Sequence, residues 1–89
     1  MQPLTLGGRR EIEIGWWLAV NYWGRGLATE AARAVMSAAF RRYGLRRVVA
    51  VAMPENWASR SVMRNIGMDY EREATRRGFE VVVYSSRKL

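Results

Sequence analysis

The stretch Trp23-Gly24-Arg25-Gly26-Leu27-Ala28-Thr29 holds the residues whose types and spacing are most specific, two glycines and an arginine directly before an alanine-rich pattern of helical spacing. A strand that enters a glycine-rich turn and then opens a helix gathers unpaired backbone N–H groups and the positive end of the helix dipole at one point, a site for phosphate. Two familiar phosphate loops do not match. The dinucleotide fingerprint Gly-x-Gly-x-x-Gly/Ala has Thr29 at its last position here, with no ribose-binding acid at the expected place. The nucleoside triphosphate loop needs Gly-Lys-Ser/Thr, and the only lysine is Lys88.

Other chemistry is bounded by what the chain lacks. It has no Cys and no His, which excludes a disulfide framework, a thiolate or imidazole metal centre, a cysteine nucleophile and an imidazole base. Carboxylates, hydroxyls, backbone amides and the reactivity of the substrate itself remain. Fifteen Lys and Arg against eight Asp and Glu give a formal charge of +7, which favours an anionic partner: nucleic acid, a membrane surface or a phosphorylated ligand. Charge alone does not choose among them, and a solvated basic surface accounts for it equally well.

These residues need elements to hold them. At 89 residues and 49% hydrophobic composition, the chain reads as one small globular domain, residues 1–89, which buries about 60–65% of its unfolded surface. No repeat, linker or low-complexity run divides it, no signal-peptide hydrophobic region opens it, and no apolar run approaches the ~20 residues of a membrane span. The expected location is cytoplasmic, with no membrane partner. Residues 1–10 read as a leader. Residues 11–20 are β-prone and partly alternating, with Gly15 as a bulge or a place of close backbone approach. A loop, NYWGRG, follows. Apolar residues at Leu27, Ala31, Val35, Ala38 and Ala39 predict a helix from Leu27 to about Tyr43, capped by Gly44. The valine-rich run 47–53 predicts a strand buried on both faces, ended by Pro54. Asn56 caps a second helix to about Ile66, stopped by Gly67, and residues 68–75 and 79–86 predict a hairpin around Arg76-Arg77-Gly78. The order is β-α-β-α-β-β, an α/β (α+β) fold whose strand–helix–strand unit implies adjacent parallel strands before an antiparallel end.

Within this frame the segment YWGRGLATEA resembles the pyrophosphate loop of the GNAT superfamily of acyl-coenzyme A dependent N-acetyltransferases, Gln/Arg-x-x-Gly-x-Gly/Ala, in the variant of the branch that includes the ribosomal-protein N-terminal acetyltransferases. Trp23 stands where that loop has Gln or Arg. PENWASRSVMRNIGM resembles the family's downstream Asn-x-x-Ser/Ala…Gly-Phe/Met segment through Asn56, Ser59, Val62, Gly67 and Met68, and EIGWWLAV resembles its central strand. The resemblance covers residues 11 to about 86 and implies a GNAT-like mixed sheet, truncated at the N-terminus, where the family has elements that build the acceptor pocket.

The resemblance implies acetyl-CoA as acyl donor, and direct transfer of its acetyl group to a primary amine of a protein N-terminus, a peptide or a small molecule, without a metal. Trp23, Gly24, Arg25, Gly26, Leu27, Ala28 and Thr29 would cradle the pyrophosphate, and Asn56 and Ser59 would touch the pantetheine or adenosine end. The family's frequent tyrosine acid falls on Met63, so Ser59, Ser61 or solvent would meet the departing thiolate. Base candidates are Glu11 and Glu13, which alternation places on one face of the first strand. Plainer roles stand beside each of these: Gly24 and Gly26 as turn residues, Asn56 as a helix cap, Trp16 and Trp17 as core and cleft wall, Glu11 and Glu13 as exposed structural carboxylates. An exposed sheet edge predicts a homodimer. Two other readings are a catalytically impaired acetyl-CoA-binding module or fragment, and a basic nucleic-acid-binding domain, for which the chain offers charge but no recognition motif.

Overall fold

Valines set the centre of the structure, a computed structural model that describes residues 2–6, 9–13 and 17–87. The run Arg47–Ala52 forms the central strand, and its register fixes both faces of the sheet. In chain order the elements are β1 (Gln2–Leu6), β2 (Arg9–Glu13), α1 (Trp17–Arg41), β3 (Arg47–Ala52), α2 (Trp57–Asn65), β4 (Asp69–Arg76) and β5 (Phe79–Arg87). They build a mixed five-stranded sheet of order β1-β2-β3-β5-β4. β2 and β3 are parallel neighbours across α1, while β5 runs antiparallel to both β3 and β4. The parallel unit followed by an antiparallel end agrees with the expectation.

On one face, Val48, Ala50 and Ala52 of β3 and Val82 and Tyr84 of β5 meet Ala32 and Ala39 of α1 and Val62, Met63 and Ile66 from α2 and its end. Small alanines let α1 approach the sheet closely, and burying this surface supplies the main stabilisation of so short a chain. Gly44, at φ +66°, ends α1. Leu45 N–H reaches back to the Ala39 carbonyl at 2.9 Å, closing the helix in the left-handed manner that glycine permits.

The opposite face carries a smaller apolar cluster, Val49 and Val83 with Val51 and Ala74, beside a set of charges. Arg47 grips Glu71 through two contacts, 2.6 and 2.8 Å, and Glu11 at 3.0 Å, and Arg76 reaches Glu13 at 2.7 Å. β2 and β4 are separated by two strands in the sheet, and β1 and β4, its two edges, also touch. The sheet therefore curls, and Glu11 and Glu13 are buried on the face opposite the main core. The expectation that these carboxylates are exposed is thus overturned.

The region before Leu27 differs most from the sequence reading. The strand expected over residues 11–20 ends at Glu13, and the loop expected over residues 21–26 lies inside α1, which begins at Trp17. The reason is cooperative: once a helix is nucleated, each added residue gains a hydrogen bond without a second nucleation penalty. No proline interrupts Trp17–Gly26, and Gly24 and Gly26 each oppose the helix by only about 1 kcal/mol. Gly15 and Trp16 lie outside the described residues. Of the expected stripe, Ala39 is buried and Val35 packs against the core, whereas Leu27 is 56% exposed; Thr29 and Ala32 are the buried positions toward the start of the helix. Gln2–Leu6, within the stretch read as a leader, pairs along its length with β2.

Candidate functional site

At the carboxyl end of β3 the chain turns sharply into α2. Asn56 holds this turn: its N–H donates to the Met53 carbonyl at 3.0 Å, and its side-chain Oδ1 accepts from the Ser59 N–H at 3.2 Å. That is an N-cap, which satisfies one of the helix's otherwise unpaired donors. Arg60 pins the turn from behind, donating to the Pro54 carbonyl at 2.6 Å and to the Tyr84 hydroxyl at 3.2 Å while its guanidinium lies 3.9 Å from the centre of the Trp57 ring.

The turn opens on a cavity of about 360 Å³. Val51, Ala52, Met53, Phe79 and Val81 supply apolar surface, while Asn56, Ser59, Arg76 and Arg77 supply polar groups. Ser59 is 2% exposed, and its Oγ has no hydrogen-bond partner among the described residues. A buried hydroxyl left unpaired is costly, and it belongs to a residue that lines this cavity.

A second hollow, about 560 Å³, lies at the other end of α2, lined by Gly26, Thr29, Glu30, Arg33 and Asn65. Arg33 donates to the Asn65 carbonyl there at 2.9 Å, tying α1 to α2. The two hollows are separated by the nine residues of α2, a length on the order of 13 Å. An extended ligand chain spans that distance.

The structure thus divides the expected site. Asn56 and Ser59 share the first cavity, and Gly26 and Thr29 share the second. The backbone from Trp23 to Ala28 is helical, so the N–H groups from Arg25 to Thr29 face carbonyls one turn back instead of converging on a ligand. A Cβ added at Gly26 would meet nothing within 4 Å. Glu13 does not line the first cavity but stands behind Arg76, which does. Glu11 pairs with Arg47, at the opposite end of β3 from that cavity. Met63, where the resemblance leads one to expect the acid, is 2% exposed within the core. Arg47 holds the Glu71 carboxyl down at about 2, chiefly through their hydrogen bond, and is itself raised by it. Arg76, Arg77 and Phe79 were legible only as a turn and a strand start, although two adjacent arginines before Gly78 were the available signal. Among the described residues no group of carboxylates could hold a metal ion, and no helix is long and apolar enough to cross a membrane.

The model of the acetyltransferase (GNAT) domain family matches residues 3–69. The chain belongs to the GNAT acetyltransferase family. It is 42% identical over 64 residues to the uncharacterized N-acetyltransferase YnaD of Bacillus subtilis, a match covering 72% of this chain and 38% of the relative. It is 38% identical over 58 residues to the FsC-acetyl coenzyme A-N(2)-transacetylase of Aspergillus fumigatus, covering 65% of this chain and 25% of that protein. Among solved structures it superposes with a TM-score of 0.75 on a Vibrio cholerae protein assigned as a ribosomal-protein-serine acetyltransferase, at 28% identity, covering 85% of this chain and 47% of the other. The chain spans less than half the length of these GNAT relatives. The glycine segment, Asn56 and Ser59 lie inside the matched residues, whereas Arg76, Arg77 and Phe79 lie beyond them.

Proposed function

We propose that this chain supplies the donor side of an N-acetyltransferase, which moves an acetyl group from acetyl-CoA directly to a primary amine of a protein N-terminus, a peptide or a small molecule. The observation that carries the reading is the cavity at the turn into α2, which Asn56 and Ser59 both line beside apolar surface. The polar side of the cavity, at Asn56 and Ser59, would meet the amides of the pantetheine arm. The spacing of the two hollows across α2 suits a thioester in one and phosphates in the other.

Acetyl-CoA, when bound, brings a thioester whose carbonyl is open to attack by an amine. For the phosphates to be cradled by the Trp23–Thr29 backbone, the first turns of α1 must unwind so that the helix begins near Leu27, with Arg25 beside the charge. Gly24 and Gly26 make this the least costly place for the helix to open. Ser59, which lines the first cavity, is the candidate acid. Glu13 and Glu11 remain the candidate bases; Glu13 would have to part from Arg76 to take the amine proton itself, while Glu11 is held by Arg47 as a structural carboxylate. A homodimer whose partner copy completes the acceptor side, and a cytoplasmic location, belong to the same reading.

Incubation with acetyl-CoA and a panel of peptide and small-molecule amines, reading free thiol release, tests transfer. Release that depends on the amine is the expected result. Acetyl-CoA binding without release favours the second reading, an acetyl-CoA-binding module without transfer, to which the burial of Met63 in the acid's place also points.

A further inference from the structure

The hairpin wall of the first cavity carries information that the donor does not use. Arg76 and Arg77 both line it, but their charges are not equivalent. Glu13 answers Arg76 at 2.7 Å. Arg77 is exposed at the hairpin tip and has no hydrogen bond or ion pair among the described residues, so its solvated guanidinium stands free at the mouth of the cavity beside the apolar surface of Met53, Phe79 and Val81. Phe79 is 62% exposed, so the lip of the cavity is apolar as well.

The backbone points the same way. Arg77 has φ +50° and Gly78 φ +83°, the left-handed pair of a two-residue hairpin turn. Gly, Asn or Asp is relaxed at the first of these positions, whereas a long side chain is strained there, and such strain persists where the side chain has a task. Arg77 also lies beyond residues 3–69, so it is not part of what the family model matches.

We propose that Arg77 is the acceptor-recognition residue of this cavity and that the acceptor is an apolar amine of amino-acid size bearing a carboxylate. The α2 wall, with Asn56 and Ser59, takes the donor arm; the hairpin wall takes the acceptor, its side chain against Met53, Phe79 and Val81 and its carboxylate on the guanidinium. One free arginine matches one carboxylate, since its planar fork pairs both oxygens at once. The inference rests on the proposed function, because it places the acceptor opposite that donor.

Leucine and leucinamide differ in the carboxylate, and each can be titrated into the wild-type protein and the Arg77→Gly variant while backbone amide resonances are followed. Glycine relaxes the turn, so the variant keeps the hairpin. Leucine is expected to bind wild type about tenfold more tightly than leucinamide, with the difference gone in Arg77→Gly. Leucine binding wild type no better than leucinamide, failure of both to bind included, overturns the proposal, as does the same preference in Arg77→Gly. Acetyl-CoA titrated into the same samples separates the two ideas. A leucine preference without acetyl-CoA binding removes the donor reading and leaves the anion site; acetyl-CoA binding without the preference does the reverse.

Discussion

Two single residues, Ser59 and Glu71, give sharp expectations. Removing the unpartnered hydroxyl in Ser59→Ala should stabilise the ligand-free protein by about 1 kcal/mol, a rise of about 4–8 °C in its melting midpoint. The same change should weaken acetyl-CoA binding, so calorimetry and thermal unfolding should move in opposite senses. Glu71 gives the second expectation. Its carboxyl is lowered from an ordinary value near 4.5 to about 2 by Arg47, so the unfolded chain binds the extra proton first as the solution is acidified. The stability this pair contributes is complete above pH 4.5 and is lost as the pH falls through about 2. Urea unfolding between pH 6 and pH 2 should therefore show a fall in stability that is smaller in Glu71→Gln, and an equal fall in both would contradict the assignment.

Among the elements, the test falls on the start of α1. If donor binding unwinds Trp17–Gly26, replacing Gly24 and Gly26 together by alanine should stabilise the helix by about 2 kcal/mol and weaken acetyl-CoA binding about 30-fold. A higher melting midpoint with unchanged affinity would show that the helix need not open. The elements from β3 onward were legible because their signals are local: the valine run, Asn56 as a cap, and the positive-φ glycines 44, 67 and 78. The start of α1 was not, because strand-prone Trp and Val, helix-prone Leu18 and Ala19, and two glycines leave its state to the cooperativity of a helix nucleated downstream. In the site, Asn56 and Ser59 could be found from a family motif, whereas Arg76 and Arg77 reach the cavity only because β5 inserts between β3 and β4. That pairing joins segments far apart in the chain, and no local pattern announces it.

At the scale of the whole molecule, the curled sheet leaves edges at β1 and β4 that are poorly suited to pairing. Pro3 lies in β1, and β4 carries Asp69, Glu71, Arg72, Glu73 and Arg76 with an irregularity between Tyr70 and Arg72. A homodimer that completes the acceptor side would have to form away from these strands, and light scattering at micromolar concentration should then give twice the mass of one chain. A monodisperse monomer would contradict it. The claim on which the rest depends is that this chain binds acetyl-CoA across α2. Calorimetric titration of acetyl-CoA into the wild type and into Gly26→Asp tests it most directly, since a side chain at Gly26 meets open space and leaves the fold standing, while its negative charge opposes phosphate. Saturable binding by the wild type, lost in Gly26→Asp, is the predicted result; a folded wild-type protein that binds no acetyl-CoA, or a variant that binds it equally well, would contradict the account.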